Sequence, residues 1–180
     1  MRKGGGHSKG SEFERKIAKD IVKAFKSFGV KQRECWRSVL SGGHAIACGD
    51  LEMSERLLQL FPYAIECKFY KKIRWENFLL NNWTSKEMKW LLQAKAGADK
   101  ASKEGYSLQA LLVMKANHTP IYVMNPSSRN ILVPWTKFLK NAVEDANSMN
   151  GKPRESKSRV SSSRFGRLRP IPHVPDPSTL

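Results

Sequence analysis

Asp50, Glu66 and Lys68 are the residues of this chain whose types and spacing could carry out a reaction. Residues 63–69 alternate as a strand does, with Tyr63, Ile65, Cys67 and Phe69 on one face and Ala64, Glu66 and Lys68 on the other. The first face is apolar and needs a core; the second sets a carboxylate next to an ammonium. Upstream, Gly49-Asp50 opens another short candidate strand, Leu51-Glu52-Met53. If the two strands pair, Asp50 and Glu66 meet at one edge with Lys68 beside them. Two hard oxygen ligands beside a lysine suit Mg²⁺ and phosphodiester chemistry. The same residues also fit a Glu–Lys pair on the wet face of an antiparallel sheet, so the rest of the chain must decide.

The elements that would position them begin at Ser11. Residues 1–10 read as a flexible basic arm, with Arg2, Lys3 and Lys9 among glycines. Ser11-Glu-Phe-Glu14 matches the S-x-x-E capping box, and the helix it opens is expected to run to about Phe28 and close at Gly29. Phe13, Ile17, Ile21, Ala24, Phe25 and Phe28 form its apolar stripe. Glu12 shares a face with Lys16, Lys19 and Lys23 and is solvated. Glu14 instead lines up with Ile17, Ala18 and Ile21, at the margin of the buried face. Either it reaches back to cap Ser11 or it contributes to a site under the helix N-terminus; spacing alone does not separate the two.

Residues 34–40 predict a first strand, broken by the loop Ser41-Gly-Gly-His-Ala45. Residues 54–61 predict a helical turn before Pro62. Past the central strand, Lys71, Lys72 and Arg74 form a basic rim placed to contact phosphates. An aromatic-rich helical segment over 75–82 follows, and a second capping box, Thr84-Ser-Lys-Glu87, opens a helix to about Lys103. Strands are predicted over 107–115, 120–124 and 130–133, and a last helix over 135–146. The pattern gives one α/β domain over 11–146, a central mixed sheet flanked by helices. Residues 147–180 read as a disordered basic tail rich in proline and serine. Within 151–180, seven Lys and Arg face only Glu155 and Asp176, a balance suited to non-specific phosphate contacts.

The whole chain of 180 residues carries 32 Lys and Arg against 16 Asp and Glu, a formal net charge of +16. Such an excess implies a polyanionic partner, foremost nucleic acid, because each neutralised phosphate releases counterions. No long apolar run and no single basic amphipathic helix supports a membrane partner instead. Cys35, Cys48 and Cys67 lack C-x-x-C spacing, which argues against a disulfide framework and against a zinc site. The N-terminus has no apolar segment of the kind a signal peptide needs, so a reducing cytoplasm is expected.

In this order, Asp50 followed by Glu66-x-Lys68 resembles the PD-(D/E)XK nuclease core, with Gly49 standing where that signature has a proline. Lys9-Gly-Ser-Glu-Phe-Glu-Arg15, Arg37-Ser38 before a glycine/serine loop, and Ile65-Glu-Cys-Lys-Phe-Tyr-Lys-Lys72 are more narrowly similar to archaeal-type Holliday junction resolvases. The likeness spans roughly residues 9–124. It implies a restriction-endonuclease-like fold and a Mg²⁺-dependent endonuclease, with Mn²⁺ as a substitute metal. It further implies a homodimer that resolves four-way DNA junctions by paired symmetric nicks leaving 5′-phosphates. Carried over by position, Asp50, Glu66 and the backbone carbonyl of Cys67 hold the metal, and Glu14 is the helix acid reaching it through water. Lys68 orients the attacking water or stabilises charge on the phosphate. Lys9, Arg15 and Arg37 contact the DNA backbone, and Ser41 lies on the loop near the site. Two rival readings stand beside this one: another enzyme of the same core acting on duplex or branched DNA, and a non-catalytic basic DNA-binding module.

Other residues carry less. Alternation makes Cys67 a core residue rather than a nucleophile. His44 reads as a solvated loop residue, and His7, His118 and His173 show no ligand spacing. Gln93 fits either a position near the site or the surface. Trp75 and Trp83, flanked by Lys, Arg and Asn, are candidates for stacking on opened bases.

Overall fold

The computed structural model describes residues 5–38, 49–127 and 132–151. The opening helix, α1 (Gly5–Ala24), starts earlier than a cap at Ser11 predicts, so Ser11 lies inside the helix and residues 5–10 are helical rather than a loose arm. Glu14 is drawn across the molecule to Arg37, so a local capping box does not decide where the helix begins. After Ala24 comes a 3₁₀ turn, Lys26–Phe28. Gly29 then closes the segment as predicted, with φ 76° and its N–H bonded to the Lys26 carbonyl.

Two short strands follow, β1 (Cys35–Arg37) and β2 (Leu51–Met53), paired antiparallel with Trp36 opposite Glu52. Helix α2 (Glu55–Leu60) is capped by Ser54, whose Oγ accepts from the Leu57 N–H at 3.2 Å. Strand β3 (Tyr63–Tyr70) then forms one edge of a four-stranded sheet ordered β3-β4-β5-β6. Strand β4 (Gln109–Ala116) runs parallel to β3, whereas β5 (Ile121–Met124) and β6 (Val133–Pro134) are antiparallel, so the sheet is mixed. The crossover from β3 to β4 contains α3 (Glu76–Leu79) and α4 (Lys86–Lys103), and α5 (Trp135–Gly151) ends the described fold. The last helix thus runs past 146. Residues 152–180, the greater part of the predicted tail, lie outside the described residues.

One predicted pairing is not made. Strand β2 joins β1 rather than β3, because it is three residues long and turns at Ser54 directly into α2. Only Asp50 reaches the free edge of β3. The two faces of β3 behave as the alternation requires. Ile65 and Cys67 enter a core with Phe13, Ile17, Ile21 and Phe25 of α1 and Trp135 of α5. Ala64 enters a second core with Met88, Trp90, Leu91 and Ala94 of α4 and with Leu112 and Met114 of β4. Ile17, Ile21, Phe25 and Ile65 are wholly buried, each stabilising the fold by roughly 1.5–3 kcal/mol relative to an exposed side chain. The sheet is therefore a middle layer, with α1 and α5 on one side and α4 on the other.

The second predicted capping box also differs. Ser85, not Thr84, caps α4, accepting from the Met88 N–H at 3.2 Å. Glu87 is buried and turns away from the cap, accepting from Asn77 Nδ2 at 2.8 Å and from the Arg74 N–H at 3.3 Å. Among the described residues no helix is long and apolar enough to cross a membrane.

Candidate active site

Asp50 is where the two sheets meet. Its carbonyl accepts from the Ser38 N–H at 2.9 Å, its N–H donates to the Ile65 carbonyl at 2.8 Å, and its Oδ2 accepts from the Cys67 N–H at 2.7 Å. The chain can lie this close to β3 only because residue 49 is glycine. Gly49 has φ 134°, and a Cβ added there would stand 2.2 Å from the Ile65 carbonyl oxygen. A proline, locked near φ −65°, is excluded at this position for the same reason. The N–H and C=O of one strand residue point to the same side, so the Cys67 carbonyl faces the edge on which Asp50 sits.

Glu66 and Lys68 stand half-buried on the same face of β3, and Lys68 Nζ donates to Glu66 Oε1 at 2.5 Å. Glu14 arrives from α1 and accepts from Arg37 Nε. All four groups share one electrostatic environment. Burial, the Glu66 charge and the Glu14 charge push the Asp50 carboxyl from 3.8 up to about 6, against the lowering pull of the Cys67 N–H and of Lys68. For Lys68, burial pulls the pKa down, but the bond to Glu66 and the charges of Glu66 and Asp50 outweigh it. The net shift is upward and the side chain is held as an ammonium. Burial, with Asp50, Glu14 and Glu66 adding to it, drives the Cys67 thiol well above its usual range. Cys67 is thus a neutral core side chain, in line with its place in the alternation.

A groove of about 880 Å³ opens beside these groups, with Lys9, Ser11, Glu14, Arg37, Cys67, Lys68 and Lys71 in its wall. The neighbourhood suits a hard cation, since burial, Glu66 and Glu14 all make the Asp50 charge costly and a bound cation would offset that cost. Among the described residues no three His, Cys, Asp or Glu side chains form a cage that would hold a metal unaided. The donors that could hold a metal are Asp50, Glu66 and the Cys67 carbonyl, with other oxygens needed to complete its shell. Mg²⁺ is commonly bound in this way, through one or two carboxylates with several waters and phosphate oxygens retained.

Residues 5–160 match the model of a family described as "Phage putative PDDEXK endonuclease". The chain belongs to this PDDEXK family. No curated protein and no solved structure matches it. In this PDDEXK chain the helices and mixed sheet agree with the nuclease fold in outline.

The predicted site residues distribute unevenly over the PDDEXK groove. Glu14, Lys9, Arg37, Lys68 and Lys71 line it, whereas Asp50 and Glu66 are not in its wall but are hydrogen-bonded to two residues that are, Cys67 and Lys68. Arg15, Lys72 and Arg74 are exposed but lie outside the groove wall. Ser41, His44 and Cys48 fall outside the described residues. Gln93 is exposed on α4.

Sequence reasoning missed a brace behind the site. Glu52 accepts from Ser38 Oγ and from Trp36 Nε1, each at 2.8 Å, and so ties together the strands that carry Arg37 and Asp50. The alternation of Asp50 and Glu52 was a usable signal for it. Asn117, just past β4, also lines the groove, and no spacing in the sequence marks it.

Proposed function

We propose that this PDDEXK nuclease is a divalent-metal-dependent DNA endonuclease that hydrolyses phosphodiester bonds in the groove between α1 and β3. The observation that carries the reading is Asp50. Its carboxylate is fixed to the strand edge by the Cys67 N–H, while Glu66, Glu14 and Lys68 all act on its charge. A carboxylate serving only structure would have its charge compensated; this one is made costly by burial first and then by Glu66 and Glu14. Asp50, Glu66 and the Cys67 carbonyl are the residues to hold the metal, Mg²⁺ or Mn²⁺, with Glu14 reaching it through water. When bound, such a cation supplies positive charge against the oxygens of a phosphate under attack.

The protein's own groups do the rest. Lys68 stays cationic beside Glu66, so it stabilises charge on the phosphate or orients a water rather than taking a proton as a free amine. Arg37 holds Glu14 in place, and with Lys9 and Lys71 it gives the groove a basic wall for the DNA backbone. The decisive experiment is cleavage of plasmid and oligonucleotide DNA with Mg²⁺, Mn²⁺ or EDTA, comparing wild type with Asp50→Asn and Glu66→Gln. Metal-dependent cutting that survives both substitutions refutes this site. No cutting by the wild type under any metal favours a DNA-binding module whose acids are structural.

A second, finer reading is that a homodimer acts on four-way junctions. Its support is that the separate stretches resembling junction resolvases (around Lys9 to Arg15, Arg37-Ser38 and Ile65 to Lys72) converge on one groove. Junction selectivity then comes from the spacing of two identical sites rather than from base readout. Linear duplex cut as fast as a junction overturns this reading and leaves the endonuclease itself intact.

A further inference from the structure

The crossover between β3 and α4 exposes a group of large apolar side chains that the chemistry above does not use. Leu79 is 70% exposed, Leu80 76% and Trp83 58%, while Phe78 beside them is fully buried. Leaving three such side chains in water forgoes their burial, so the tip of this crossover has a use for them. It is also held firmly. Asn82 Nδ2 donates to Asn77 Oδ1 at 3.3 Å, the Asn82 N–H donates to the Asn77 carbonyl at 3.0 Å, and Thr84 Oγ1 donates to Asn82 Oδ1 at 2.9 Å. Below them Glu87 clamps Asn77 and the Arg74 N–H. Asn81 sits at φ 50°, a left-handed conformation that the surrounding bonds maintain.

The crossover that carries this tip leaves from the groove wall and returns to it through Tyr70. Tyr70, in the groove wall, stacks on Trp90 of α4 at 4.6 Å between ring centroids, and Lys86 Nζ lies 3.8 Å over the Tyr70 ring. The charge around the tip has one sign. From 71 to 89 the exposed ionised residues are Lys71, Lys72, Arg74, Lys86 and Lys89 against Glu76 alone. A rigid apolar tip with a cationic rim complements bases that are out of the stack and still attached to their phosphates.

We propose that Leu79, Leu80 and Trp83 form a wedge that stacks on unpaired bases of the DNA held in the groove. The wedge gives the enzyme a preference for substrates containing single-stranded or branch-point nucleotides. This inference rests on the endonuclease reading above.

The test is binding and cutting by the full chain of duplex, single-stranded and branched oligonucleotides. Binding is measured in EDTA and cutting in Mg²⁺, for wild type, Trp83→Ala, Trp83→Phe and the double variant Leu79→Ala/Leu80→Ala. We expect Trp83→Ala to weaken binding to single-stranded and branched DNA roughly tenfold more than binding to duplex. Trp83→Phe restores most of the loss, and a 2-aminopurine placed at the branch brightens with wild type but not with the alanine variants. Variants that keep the wild-type ratio of branched to duplex affinity overturn the wedge even while metal-dependent cutting persists. A drop from dimer to monomer in sedimentation, with that ratio unchanged, assigns the patch to a second copy of the chain and overturns it too. Absence of metal-dependent cutting by the wild type, in contrast, defeats the endonuclease reading itself and the wedge with it.

Discussion

Replacing Asp50 by asparagine should stabilise the metal-free protein while abolishing its cleavage of DNA. The Asp50 carboxyl is raised from 3.8 to about 6 by burial, by Glu66 and by Glu14. Its folded-state pKa thus lies above its unfolded one, and the folded chain binds the proton more tightly. The cost of ionisation is absent at pH values below 3.8, grows as pH rises to about 6, and is complete above that. At about 1.4 kcal/mol per pH unit it amounts to roughly 3 kcal/mol near neutrality without metal. The asparagine side chain has almost the same shape and can still accept from the Cys67 N–H, and the charge assistance it lacks is already contained in the net shift. The gain is therefore roughly 3 kcal/mol, or about 6–12 °C in melting midpoint for a domain of this size. The assay is thermal unfolding in EDTA from about pH 4 to about pH 8, with a parallel series in Mg²⁺. Wild type should lose stability relative to Asp50→Asn across the middle of that range, and the two should converge at the acidic end. Mg²⁺ at about 100 times its dissociation constant should return roughly 2.7 kcal/mol to wild type and nothing to the variant. If Asp50→Asn melts no higher than wild type at about pH 7.5 in EDTA, or if Mg²⁺ stabilises both alike, the placement of a buried Asp50 carboxylate beside Glu66 and Glu14 is refuted.

Three further outcomes follow from other contacts. Gly49→Ala forces a Cβ to 2.2 Å from the Ile65 carbonyl at φ 134°, so Asp50 must leave the β3 edge. A stability loss of about 3 kcal/mol in denaturant and a fall in cleavage of at least about 100-fold are expected, and wild-type cleavage would disprove the close approach. Arg37→Ala frees Glu14 from its ion pair. Cleavage should drop roughly tenfold or more with only about 1 kcal/mol lost in stability, and Arg37→Lys should recover part of it. Glu87→Ala removes the buried acceptor of Asn77 Nδ2 and the Arg74 N–H, which should cost about 2–3 kcal/mol in urea unfolding and loosen the 74–84 segment in hydrogen exchange. Retention of wild-type protection there would show that Glu87 does not anchor the segment.

Much of this arrangement was already written in the chain. The period-2 pattern of Tyr63 to Phe69 determined a strand with one face for the α1 and α5 core, and that face is where Ile65 and Cys67 lie. The 3.6-residue stripe of α1 determined which side of it is buried and left Glu14 at the margin. The basic excess determined the class of partner to seek. These features are legible because they depend on the covalent spacing of residues along one element. What only the tertiary structure decided is every relation between elements. It paired β2 with β1 instead of β3, sent Glu14 to Arg37 rather than to a local cap, and turned Glu87 from a capping box into a buried clamp. In each case a partner distant in sequence offered a hydrogen bond away from water, where it counts for more than the exposed local one. Asp50 shows the same division. Its residue type and its place upstream of Glu66 and Lys68 could be read from the chain. Its capture on the β3 edge rests on the approach of two backbones at Gly49, which no one-dimensional pattern records.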